Sequence, residues 1–280
     1  MKHLNQFITE YIVKKKLDKA IDSEHKYHPQ TKDELIENIK ELLDKGETDL
    51  NCIDTSNITD MSNLFESSNI STTIDISEWN VSNVTNMSNM FYNCEKINFD
   101  LSSWDVSKVE NMSYMFCDCK KLNCDLSKWN VSNVKNMSHM FYACINLDYD
   151  LSKWNVSNVK NMSHMFYACI NLDCDLSNWD VSKVKDMKYM FYSCENFTGK
   201  GLENWNVSKV ENMQDMFNEC TNLDCDLSKW NVSNVLNMEY MFRKCKKLNF
   251  DLSNWNVSKV KNTYNMFYGC NILKNIPSWY

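Results

Sequence analysis

Hydrophobic and polar positions along this chain keep time to a 25-residue clock. The stretch Asp125 to Asp148, DLSKWNVSNVKNMSHMFYACINLD, recurs unchanged from Asp150 to Asp173, and diverged copies run from Asp49 onward at a spacing of 25, with 26 at two places. Self-similarity at this period marks a solenoid, in which each coil buries its apolar side against its neighbours. Coils begin near Asp49, Asp75, Asp100, Asp125, Asp150, Asp175, Gly201, Asp226 and Asp251, and an abbreviated one follows at residues 276–280.

Each coil has two textures. Leu151 to Met162 is extended and turn-rich, and Val159-Lys160-Asn161 is the candidate for a parallel strand stacking coil on coil. Met162, Met165, Phe166, Cys169 and Leu172 then fall at i, i+3, i+4, i+7 and i+10, the spacing of one face of a short helix. Strands stack at about 4.8 Å and helices at roughly 8–10 Å, so such coils are expected to curve with strands inside. Asn155 with Ser157, and their equivalents in other coils, predict turns closed by side chain to backbone bonds. The column Asn86, Asn111, Asn136, Asn161, Asp186, Asn212, Asn237 and Asn262 is expected to stack as an amide ladder.

Before the coils, Leu4, Phe7, Ile8, Tyr11, Ile12 and Leu17 predict an amphipathic helix. Thr31 with Glu34 forms a capping-box pattern opening a second helix through Leu35, Ile36, Ile39, Leu42 and Leu43, stopped near Gly46. An end coil exposes apolar surface, so residues 1–48 are read as a helical cap and 49–280 as the repeat body. The expected architecture is an α/β solenoid of about nine coils with parallel stacked strands and short helical turns.

Composition narrows the chemistry. Gly (4) and Pro (2) are too scarce for a disordered or collagen-like chain. A net charge of −7 and a pI near 5.3 disfavour binding to nucleic acid or anionic membrane. No apolar run reaches the roughly 18 residues of a membrane span, and the N-terminal residues lack a signal-peptide core, so the expected location is cytoplasmic. Of 13 cysteines, Cys94, Cys119, Cys144, Cys169, Cys194, Cys220, Cys245 and Cys270 share one repeat position. They are read as reduced, packed thiols, with Cys117 the expected exposed one because Tyr fills its column in several coils.

The pattern Asp-Leu-Ser-x-Trp-Asn/Asp-Val-Ser-Asn/Lys-Val-x-Asn-Met-x-x-Met-Phe-x-x-Cys resembles the repeats of the BspA-like leucine-rich-repeat family of bacterial surface-type proteins, over residues 49–280. The resemblance implies a leucine-rich-repeat-like solenoid that binds other proteins or cell surfaces, including adhesion.

Candidate chemistry is weighed against this periodicity. His139 and His164 occupy one position in duplicated coils, so copying explains them without a metal. The pairs Cys119/Cys124, Cys169/Cys174 and Cys220/Cys225 are neighbouring columns without zinc-type spacing. One tryptophan per coil beside Leu and Val reads as core rather than as a ligand platform. Lys135, Lys160 and Lys185 form an outward basic strip. No phosphate loop, nucleophile elbow or metalloprotease helix appears. The expectation is therefore a non-enzymatic module without cofactor, binding a protein partner through Tyr114, Lys135, His139, Lys160, His164, Lys185, Tyr189 and Tyr240. The second expectation is a structural or adhesive component that self-associates.

Overall fold

Thr31 opens α1 (Lys32–Asp44) as its spacing predicts. Its side-chain oxygen accepts from the Glu34 N–H at 3.2 Å, and the Glu34 carboxylate accepts from the Gln30 N–H at 2.6 Å. Gly46 follows at φ +77°, which suits a residue without Cβ just past a helix end. The computed structural model describes residues 25–67, 74–95, 97, 100–147, 149–270 and 277–280. The helix expected over Leu4–Leu17 lies outside them. Leu35, Ile39 and Leu42 of α1 are buried in the same apolar cluster as Leu50 and Ile53 of the first coil.

The coils stack in parallel, but they are built from turns. At the position expected to be a strand, each coil pairs with the next through a single bridge, running Asp60, Asn86, Asn111, Asn136, Asn161, Asp186, Asn212, Asn237 and Asn262. No run of paired residues extends these bridges into a strand among the described residues.

The segment expected to be a short helix also differs. Its amides alternate between two kinds of partner. Met162, His164, Phe166 and Ala168 donate to the carbonyls of Asp186, Lys188, Met190 and Tyr192 in the next coil, at 2.7–3.1 Å. Met165, Tyr167 and Cys169 donate back to Met162, His164 and Phe166, each three residues earlier. A helix would spend every amide within its own coil, whereas this ribbon satisfies backbone polarity and joins coils with the same groups. The alternation requires left-handed backbone at two positions per coil. One column is Asn63, Asn89, Tyr114, His139, His164, Tyr189, Asp215, Tyr240 and Asn265; the other runs from Ser67 through Ala143 and Ala168 to Gly269.

Side chains staple the stack. Trp179 Nε1 donates to the Leu151 carbonyl one coil earlier at 3.0 Å, and Cys169 Sγ donates to the Phe141 carbonyl at 3.0 Å. The same two bonds recur along the array, for example from Trp129 and Cys144. The tryptophans of the inner coils are buried, as the core reading expects. Side-chain oxygens of Asp150, Asn155 and Asn161 each accept from the N–H two residues on, closing three turns in one coil. The Asn161 column therefore caps turns and does not stack as an amide ladder.

Rings of successive coils stack in ladders. Phe116, Phe141, Phe166 and Phe191 follow one another at 5.6–5.8 Å, and Trp179, Trp205 and Trp230 at 6.3–6.5 Å. Tyr142, Tyr167 and Tyr192 are only 4.4–4.5 Å apart. The second 26-residue coil is accommodated at Gly201, φ +94°, where a Cβ would sit 2.2 Å from the Ser177 nitrogen.

Candidate interaction face

Left-handed backbone turns one side chain per coil out of the core and onto a shared face. Tyr114, His139, His164 and Tyr189 form a continuous ring stack there, with centroids 4.1, 4.1 and 4.7 Å apart and planes within 16° of parallel. Tyr142, Tyr167 and Tyr192 make a second stack beside it. All seven rings are half-buried, with one face or edge open. Two hollows of about 500 and 550 Å³ follow one another along this face as a groove, with Tyr167 and Tyr189 lining both.

Burial sets the electrostatics. It depresses His139 to about 4 and His164 to about 3, aided by Lys188 at both and by His139 at His164. Both imidazoles are therefore neutral at pH 7, and both Nδ1 atoms are buried without a hydrogen-bond partner. Parallel stacking sets the two rings face to face instead of converging them on one ion, and no three metal-ligating side chains gather among the described residues. Burial likewise raises Tyr114, Tyr142, Tyr167 and Tyr192, and carries Tyr189 up to about 12 with help from Asp215.

The structure places Tyr114, His139, His164 and Tyr189 side by side in one stack. Tyr240 belongs to the same column, but Asp215 stands between it and Tyr189. The lysines do not join this groove. Lys135 pairs with Glu110 at 2.7 Å and Lys185 with Glu211 at 3.3 Å, so the basic strip is partly neutralised along its length. Lys160 is exposed between them. Cys117 is a further correction: it is 3% exposed, and burial pushes its thiol up to about 12. Being shorter than the tyrosines of its column, it stays below the surface they reach. Tyr92, Tyr142, Tyr167, Tyr192 and Arg243 line the groove but were not singled out in the sequence. Their signal was available, because this column varies from coil to coil while the Met and Phe columns beside it barely change.

Stacked turn coils with a constant interior and a variable, grooved face define a repeat solenoid. Three stretches, residues 34–141, 118–200 and 192–280, match the family described as Mycoplasma protein of unknown function, DUF285, and the chain belongs to that family. No curated protein matches the sequence. Among solved structures, an internalin from Listeria monocytogenes is similar at 12% identity over 82% of this chain and 74% of its own, with a TM-score of 0.27. A TLR13–ssRNA13 complex is similar at 12% identity over 74% of this chain and 44% of that one, with a TM-score of 0.20.

Proposed function

We propose that this protein is a non-enzymatic interaction module that binds a protein partner along the Tyr/His groove. One observation carries this reading. The columns that hold the coils together hardly change, whereas the column Tyr114, His139, His164, Tyr189, Asp215, Tyr240 changes on a face that is open and built of half-buried rings. Tyrosine offers a large, stiff contact surface with a polar tip, and such rings often dominate association energies. The BspA-like resemblance of the repeat supports a partner at a cell surface.

Photo-crosslinking tests it. A benzophenone side chain replacing Tyr142 is expected to capture a defined protein from cells of the source organism, and His139→Ala with Tyr167→Ala in the same crosslinking variant to cut recovery about tenfold. Equal loss on changing Ser152 and Ser157, outside the groove, would refute the assignment of this face. A second reading, self-association, is favoured by Tyr264 and Tyr268, which are 60% and 61% exposed on the last full coil. Concentration-dependent mass in light scattering, abolished by replacing both with Ser, is its expected signature.

A further inference from the structure

One rung of the aromatic ladder is missing, and what replaces it is a buried carboxylate. Asp215 follows Tyr189 and precedes Tyr240 in the left-handed column, and Asn218 follows Tyr192 and precedes Arg243 in the neighbouring one. Both replacements are short, so a notch opens between the flanking residues within the hollow of about 550 Å³. It spans two coil steps, each 5.6–5.7 Å at the underlying ladder of Phe191, Phe217 and Phe242.

The floor of the notch is fixed in place. Asp215 is 4% exposed and Asn218 3%. The Asn218 amide donates to Asp215 Oδ1 at 2.6 Å, and Gln214 Nε2 donates to the Tyr189 hydroxyl at 3.1 Å. The Tyr189 phenol also bonds to Asp215. These donors are neutral. Among the described residues Asp215 has no cation within ion-pair distance, although eight Lys or Arg pairs with carboxylates form elsewhere. The nearby Arg243 is engaged with Glu219 at 3.4 Å and lies over the rings of Tyr240 and Tyr268. Burying a carboxylate without a positive partner is costly, and the fold accepts that cost at the one rung between Tyr114 and Tyr240 that lacks a ring.

The geometry points to a guanidinium-binding subsite: the notch between Tyr189 and Tyr240 receives an arginine side chain of the protein partner, its planar group stacked among the phenol rings and its N–H donors on the Asp215 carboxylate. This rests on the partner reading above. A guanidinium is flat, stacks on aromatic faces and matches a carboxylate with paired donors, whereas an ammonium has no plane to lay against the rings. Glu239 adds negative charge felt at Tyr189, while Glu219 is paired with both Arg243 and Lys244. An incoming cation therefore meets two carboxylates without an ion-pair partner among the described residues, Asp215 and Glu239.

The test uses the full chain and three blocked peptides, acetyl-Gly-Arg-Gly-amide and its lysine and citrulline counterparts, followed by amide chemical-shift titration. The arginine peptide is expected to give saturable shifts centred on Asp215, Asn218 and Tyr240 in the millimolar range, with lysine at least about threefold weaker and citrulline silent. Asp215→Asn, which keeps the shape and tolerates left-handed backbone, is expected to abolish the shifts while the spectrum stays folded. Asp215→Tyr, which restores the rung, is expected to do the same. Saturable binding that survives Asp215→Asn, equal binding of citrulline, or no shift with arginine overturns the proposal. A partner captured through Tyr142 whose binding ignores Asp215→Asn would overturn this subsite and leave the partner reading standing.

Discussion

His139 and His164 sit in the protein as neutral rings because half-burial in a tyrosine stack withholds the water a charged imidazole needs. Their depressed values, about 4 and about 3, lie below the ordinary value near 6.5, so the unfolded chain binds protons that the folded one refuses. Their contribution to stability is complete above pH 6.5 and declines as pH falls from there towards 3. Thermal melts are expected to show the midpoint dropping over that window, and His139→Tyr with His164→Tyr, which keeps the stack, to flatten the component due to these rings. An unchanged slope in the double variant would show that the imidazoles do not titrate as their burial requires. The thiols obey the same rule. Cys144, Cys169, Cys194 and Cys245 are buried, donate to Phe carbonyls and are held far above the normal thiol range. Alkylation of the native protein followed by mass mapping is expected to leave these four unmodified, with Cys52, Cys225 and Cys270, the partly exposed ones, reacting first.

At the level of the coil, the left-handed columns decide the local structure. Ala143 adopts φ +56° and is half-exposed, so little packing is at stake there, only a Cβ held in an unfavourable backbone region. Ala143→Gly is expected to raise stability by about 0.5–1 kcal/mol, while Ala143→Val lowers it by at least about 1 kcal/mol. Urea unfolding reads both, and the reverse order would refute left-handed backbone at Ala143. The period, the capping box at Thr31, the turn bonds of Asn155 and the buried Trp, Met, Phe and Cys columns were legible in the sequence because each rests on residue type at fixed spacing. The helix was misread because Met162, Met165, Phe166 and Cys169 share a face equally well in a ribbon of i to i+3 turns. Asn63, Asn89 and Asn265 in one column and Gly269 in the other carried the contrary signal, since these residue types favour left-handed backbone. Asp215 was hidden for a different reason: one departure within a varying column gains meaning only when its neighbours are seen to be stacked rings.

Over the whole molecule, stability is a sum of coils and nearest-neighbour contacts, because among the described residues each coil bonds to the ones before and after it. Residues 150–174 offer a direct test, since their first 24 positions duplicate Asp125–Asp148. Removing them joins Tyr149 to Asp175 with the register intact. Phe141 then meets Phe191 where it met Phe166, Trp179 donates to Leu126 in place of Leu151, and the ladder closes as Tyr114, His139, Tyr189. The shortened protein is expected to fold, to keep its near-ultraviolet signal, and to unfold in urea with a slope reduced by roughly a tenth, in proportion to the surface lost. Removing residues 150–162 instead cuts a coil in half. Trp179 then loses the Leu151 carbonyl and Cys169 falls out of register with Phe141, so the stack breaks at that junction, and that variant is expected to be strongly destabilised or aggregated. Folding of both variants, or of neither, would show that the array is held by something other than the periodic bonds between adjacent coils.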